Sequence, residues 1–226
     1  MAMDKLGLKN MNDVMGDLFE SKDGVDVTFI VHEKELQAHK WILTSRSAVF
    51  KAMLEGPMAP EDQRHKISDP KITFEDFQRF LKFLYIDKCE QNLDKSQIKA
   101  LIHLGCLYDV LILVEKYTDQ IKFCFLSCND TYEYAKMSQE YLPATSKLLQ
   151  KCVETLVIHH FDAPLAFQKD DGTLEWISSE LVMEIIKRRS QDGMISEDAV
   201  FKKVCVTVGL KREWVARNLR QKSHYF

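Results

Sequence analysis

The apolar positions change period after residue 38. Between residues 25 and 31, Val25, Val27, Phe29 and Val31 alternate with Asp26, Thr28 and Ile30. This is the two-residue period of a strand with one mostly buried face. His32-Glu33-Lys34-Glu35 reads as a turn and residues 35–38 as a short return strand. From Trp41 the apolar positions recur at helical steps through Ile42, Ala48, Val49, Met53 and Leu54, predicting two short helices that Gly56, Pro57 and Pro60 end. Upstream, Met11, Val14, Met15 and Leu18 predict a narrow amphipathic helix over residues 11–19.

Further along, residues 66–67 fit an edge strand, and Thr73 caps a helix that turns Phe74, Phe77, Phe80, Leu81, Leu84 and Tyr85 inward. A helix over about residues 95–108 uses Ile98, Leu101, Ile102 and Cys106. The next, over about 110–125, uses Leu111, Leu113, Val114, Tyr117 and Ile121. The second half reads as helical throughout. One helix begins at Cys128, Pro143 opens another through Leu148 and Val157, residues 162–173 form a loop, and a helix follows over Ile177 and Leu181 to Ile186. Ser196 caps a last helix over residues 199–208. Strands are expected only in the first third.

At 226 residues the chain suffices for one large or two modest domains, and a net charge of −3 argues against a dedicated nucleic-acid surface. Basic residues gather only from Lys202 onward, a run that reads as a solvated helix face. No apolar stretch approaches the roughly 20 residues of a membrane span, and the first residues lack a signal-peptide core. The six cysteines lie mostly in apolar helical patterns, which predicts reduced, buried thiols in the cytosol or nucleus.

Candidate catalysis is thin. Cys124 and Cys128 stand one helical turn apart without a nearby ligand histidine. His159-His160 suits a helix C-terminus, where histidine complements the dipole. Ser45 and Ser47 lack a paired base, and there is no glycine-rich phosphate loop or paired-carboxylate cleft. A non-catalytic protein without cofactor or metal is expected. His39, at the strand-to-helix hinge, reads as a core histidine hydrogen-bonded to backbone.

The ordered set Asp26, Val27, Phe29, Val31, Ala38-His39-Lys40, Leu43, Ser45, Ser47, Phe50, Met53-Leu54 resembles a BTB (POZ) domain. Phe80-Leu81, Phe83-Leu84-Tyr85, and Ala100-Leu101 through Tyr108, Val110 and Leu113 extend the resemblance over about residues 11–120. Asn129-Asp130-Thr131 through Ala135, then Phe167, Ile177, Glu180-Leu181, Ile185-Ile186 and Arg188, and Ser196-Glu197 with Val200-Phe201, resemble the helical BACK region that often follows. The tryptophan usual soon after is replaced by Val206 or Val208, and the alignment stops at Leu210. The resemblance implies an α+β fold: a BTB domain over 1–120, a short sheet packed on a helical cluster, followed by an all-α BACK-like domain over 121–226.

It also implies a function of binding. The family exchanges its leading helix across a twofold homodimer, which would place Met11, Val14, Met15 and Leu18 in a self-complementary interface of more than about 1,200 Å². Asp26 and Lys40 would pair in a charged pocket near that seam. BTB–BACK proteins commonly hold a cullin-3 scaffold in a ubiquitin ligase, through a hydrophobic-x-Glu motif after the Phe50–Leu54 stretch. Here Met58 fits the hydrophobic place, Pro60 stands where Glu is expected, and Glu61 comes one residue later. The implied cullin surface is Met58, Glu61, the loop to His65, Tyr85 and Tyr108 to Val110. The expected protein is a homodimeric adaptor between cullin-3 and a target protein of unspecified identity, the alternative being a dimeric scaffold that binds no cullin. No kelch, MATH or zinc-finger pattern accompanies these regions, so the target would dock on the BACK region or the basic tail unless the chain is a fragment.

Overall fold

The computed structural model describes residues 9–161, 163, 165–169 and 172–191. The chain divides into two units at Ile121 and Lys122. The first opens with helix α1 (Met11–Ser21), started by a reciprocal capping box between Asn10 and Asp13. Strands β1 (Val27–Val31) and β2 (Lys34–Ala38) then pair antiparallel from Val27 opposite Ala38 to Val31 opposite Lys34. His32 and Glu33 between them both hold positive φ, 46° and 67°, the handedness that matches strand twist in a two-residue hairpin. The edge strand expected at 66–67 is longer, β3 (Arg64–Ile67), and lies parallel to β1, giving the order β2-β1-β3.

Two short helices follow β2: α2 (Lys40–Arg46) and α3 (Ala48–Glu55), broken at Ser47, whose extended backbone starts the second. The Ser47 hydroxyl accepts the Phe50 N–H at 3.0 Å and donates to the Tyr108 carbonyl at 2.5 Å, tying this break to the middle of the unit. Helix α4 (Phe74–Ile86) carries the main apolar face. Phe77, Phe80, Leu81, Leu84 and Tyr85 are buried as their spacing predicts, and so is Phe83. Phe74 is only half-buried, with the Lys34 ammonium 5.1 Å from its ring centre. Phe29, Phe50, Phe77, Phe80 and Tyr108 form one aromatic core, the tightest pair being Phe50 and Tyr108 at 4.4 Å.

Helices α5 (Lys95–Leu107) and α6 (Leu111–Thr118) close the unit through a tight approach at Gly105. A Cβ there would lie 2.8 Å from Val114 Cγ2 and 2.9 Å from Leu113 Cδ2. The helix expected from 110 to 125 stops at Thr118, since the Gln120 and Ile121 amides bond only three residues back and tighten the chain into a turn. Leu111, expected inward, is exposed.

In the second unit, helix α7 (Cys128–Tyr141) starts at a capping box between Ser127 and Asp130, and α8 (Lys147–His159) at Ser146. Pro143 therefore does not open α8. Its carbonyl accepts the Ser146 N–H at 2.8 Å, so it begins the turn between the helices. The expected loop over 162–173 and the expectation of an all-helical region are corrected by a short hairpin, β4 (Ala166–Gln168) against β5 (Leu174–Trp176). The Lys169 amide bonds the Thr173 carbonyl, and Gly172 takes the positive φ that the return requires. Three-residue strands are too short for alternation to register against their helical surroundings. Helix α9 (Ser179–Gln191) follows. The expected helix at 199–208, its Ser196 cap, Val200-Phe201 and the basic run from Lys202 lie outside the described residues.

Among the described residues no helix is long and apolar enough to cross a membrane. Among the described residues, the five cysteines are reduced and form no disulfide. Cys106 and Cys152 are buried as expected, whereas Cys124 is exposed and Cys89 and Cys128 are half-buried.

Candidate functional site

The hinge between β2 and α2 is a closed hydrogen-bond chain. Tyr85 reaches it from the last turn of α4, and its hydroxyl accepts the His39 N–H at 2.8 Å. The same hydroxyl lies 2.8 Å from His39 Nδ1, and His39 Nε2 lies 2.7 Å from the Asp23 carbonyl. A carbonyl only accepts, so Nε2 carries the proton and Nδ1 receives the Tyr85 O–H. His39 is thus a buried histidine with every polar atom used, as its position predicts. Burial pushes the Tyr85 hydroxyl up to about 12, with the negative charge of Asp26 adding to the rise.

Asp26 and Lys40, implied as an ion pair, meet here through the backbone of Lys40. Asp26 Oδ1 accepts the backbone N–H of Lys40 at 2.6 Å. His39 is the residue before α2 but offers no side-chain cap, so the Asp26 carboxylate fills that role from 14 residues upstream and complements the positive helix end.

Helix α1 packs on α4 through Phe19, whose ring meets Tyr85 edge-on at 5.0 Å, and through the Glu20–Lys82 ion pair. Met15 and Leu18 are half-buried, while Met11 and Val14 are 73% and 46% exposed. The helix therefore keeps part of its apolar stripe in solvent. Phe19, outside the expected stripe, anchors it.

The candidate docking loop lies between α3 and β3 and consists of two consecutive tight turns. In the first the Ala59 N–H bonds the Gly56 carbonyl at 3.0 Å, placing Pro57 and Met58 at the corner. A Cβ on Gly56 would lie 2.1 Å from the Ala52 carbonyl oxygen, so the tight exit from α3 requires glycine. In the second the Gln63 N–H bonds the Pro60 carbonyl at 3.0 Å, placing Glu61 and Asp62 at the corner. Met58 is 94% exposed, and Glu61 is exposed as well.

The other four residues of the implied cullin surface are interior. Tyr85 belongs to the hinge, and Tyr108 stacks in the aromatic core, where burial pushes its hydroxyl up to about 12. Val110 is 2% exposed at the start of α6. His65 is covered beside Phe29, and burial lowers its pKa, Lys40 adding to the effect and Asp62 opposing it. These four side chains lie inside the domain, so of the individually named candidates Met58 and Glu61 are the exposed ones, alongside Asp62, Arg64 and Asp109 in the stretches between them. Among the described residues no cluster of three or more His, Cys, Asp or Glu could hold a metal ion.

A three-stranded sheet folded over a helical cluster, with an apolar side chain displayed on a turn, suits a protein-interaction module. Residues 15–124 match the family model of the BTB/POZ domain, and this segment is a BTB/POZ domain. The chain is 30% identical over 107 residues to BTB/POZ domain-containing protein 9 of Homo sapiens and of Bos taurus, covering 47% of this chain and 16% of each relative. It is 37% identical over 85 residues to BTB/POZ and MATH domain-containing protein 3 of Arabidopsis thaliana, covering 36% of this chain and 20% of that protein. The shared segment thus spans a fifth or less of these relatives.

Gln63 carries a role that sequence reading missed. Its φ of 51° and its side-chain bond to Pro60 leave no mark in a periodicity or a motif. The Tyr85–His39 contact is equally silent, because 46 residues separate the partners.

Proposed function

We propose that the protein is a homodimeric, non-catalytic adaptor of the cytoplasm or nucleus, and that it joins a cullin-3 scaffold to a target protein in a ubiquitin ligase. Dimerisation would use Met11 and Val14, with Met15 and Leu18 completing the stripe. A copy-to-copy interface would remove from water the apolar surface that α1 leaves exposed. Two copies would raise the local concentration of a bound target.

The observation that carries the cullin reading is the Met58 side chain, 94% exposed on a tight turn, with Glu61 on the next. A long apolar side chain held out in solvent suits a partner pocket, and a neighbouring carboxylate suits a cation at its rim. The shift of the carboxylate from position 60 to 61 is accommodated because Pro60 begins the second turn and Glu61 occupies its corner. The helical region from Lys122 would act as a BACK-like extension of the adaptor.

Titration of the purified chain with the N-terminal domain of cullin-3 tests this. Micromolar or tighter binding that is lost with Met58→Glu and Glu61→Arg is the expected result. No binding by the wild type rejects the adaptor. A dimeric scaffold that binds no cullin is the second reading, favoured by Pro60 at the expected glutamate place. For either, light scattering should find a dimer, and Met11→Glu with Val14→Glu should yield monomers.

A further inference from the structure

Gln63 stands where the docking loop meets the sheet and is bonded to both. Its backbone N–H and its side-chain Nε2–H both donate to the Pro60 carbonyl, each at 3.0 Å. Its own carbonyl accepts the Thr28 N–H at 3.0 Å, so the residue that closes the Glu61 turn is also bonded to the central strand β1. Its φ of 51° is a left-handed conformation that glycine and asparagine take far more readily than glutamine. Its Oε1 is buried without a partner. The bond from Nε2 is what the side chain sets against this costly backbone conformation and its unsatisfied oxygen.

We infer that Gln63 is the positioning residue of the docking loop: its amide clamps the Pro60 carbonyl and so fixes the corner from which Glu61 meets a partner. This rests on the reading of Met58 and Glu61 as a docking pair. Gln63 touches no partner in this scheme and acts through Glu61. Ordering the turn beforehand removes part of the entropy that binding would otherwise cost. The neighbouring Asp62 contributes separately, because its Oδ1 accepts the Arg64 N–H at 3.1 Å and secures the entry to β3.

Two substitutions in the full chain separate the contributions. Gln63→Gly keeps the left-handed backbone and removes the clamp. Gln63→Glu keeps the size and removes the N–H donor. Each should weaken binding of the cullin-3 N-terminal domain about fivefold, the worth of one hydrogen bond. Each should also speed hydrogen exchange at the amides of residues 62 and 63. In a Glu61→Ala background neither should weaken binding further, a result that general destabilisation would not give. Wild-type affinity in both variants, an undiminished loss in the Glu61→Ala background, or unchanged exchange overturns the inference. If the wild type binds no cullin, the functional reading falls on its own, and exchange still decides on the clamp: faster exchange upholds it and unchanged exchange removes it.

Discussion

Replacing Tyr85 by phenylalanine removes one oxygen and leaves the ring that packs edge-on against Phe19 at 5.0 Å. The lost hydroxyl serves two buried groups at once, the His39 N–H and His39 Nδ1, each 2.8 Å away. Burial shuts water out of the gap, so both groups lose a partner without gaining another. An unsatisfied buried donor or acceptor costs about 1–3 kcal/mol, and removing the tyrosine's own desolvation returns part of that. The expected loss is therefore about 2–4 kcal/mol for the BTB/POZ unit. His39 should stay anchored through Nε2 to the Asp23 carbonyl, so the fold should persist. The assay is urea unfolding followed by Trp41 fluorescence, with Trp176 and Trp214 replaced by phenylalanine so that one reporter next to the hinge remains. Adding His39→Ala completes a double-mutant cycle, in which the side-chain bond should appear as a coupling of about 0.5–3 kcal/mol. A Tyr85→Phe variant within about 0.5 kcal/mol of the wild type would refute the closed-chain account.

Other outcomes follow from the packing and the charges. Asp26→Ala should cost about 1 kcal/mol as a lost helix cap, whereas Lys40→Met should be nearly neutral; equal costs in urea unfolding would restore the side-chain ion pair. Gly105→Ala should destabilise by up to about 2 kcal/mol, the overpacking against Val114 and Leu113 exceeding the gain in helix propensity; a thermal midpoint at or above that of the wild type would contradict it. Burial pushes the Asp69 carboxyl up, but bonds from His103 at 2.9 Å and from the Lys71 amide outweigh it and hold the group below the usual carboxylate range. The folded pKa is the lower one, so this stability is present above the unfolded value near 4 and is lost as pH falls through the folded value; Asp69→Asn should flatten that acid limb in pH-dependent unfolding.

Much of the first unit can be read without coordinates, for physical reasons that also mark the limit. Long amphipathic helices such as α4 repeat their pattern over several turns, and its cap, Thr73, is a short-range signal. The β1–β2 hairpin shows in the alternation of Val27, Phe29 and Val31. The parallel pairing of β3 leaves no such trace, because it joins residues 36 positions apart through backbone bonds that any sequence can make. Site residues fared unevenly for a related reason. A matching motif supplies residue types, but exposure is set by tertiary packing, which turned Tyr85, Tyr108, Val110 and His65 inward while leaving Met58 and Glu61 outside. In the second unit the β4–β5 hairpin went unread because each strand completes barely one alternation.

The segment from Gly56 to Gln63 begins at a helix end and finishes on a strand that is bonded to the middle of the sheet. At each end a backbone bond fastens it, the Gly56 N–H to the Ala52 carbonyl and the Thr28 N–H to the Gln63 carbonyl, and neither bond uses a side chain of residues 57–62. Such a stretch has the build of an exchangeable cassette: the corner residues Met58 and Glu61 are exposed and stand outside the hydrophobic interior. On the docking role proposed for Met58 and Glu61, altering these two side chains alone should change which partner the domain accepts.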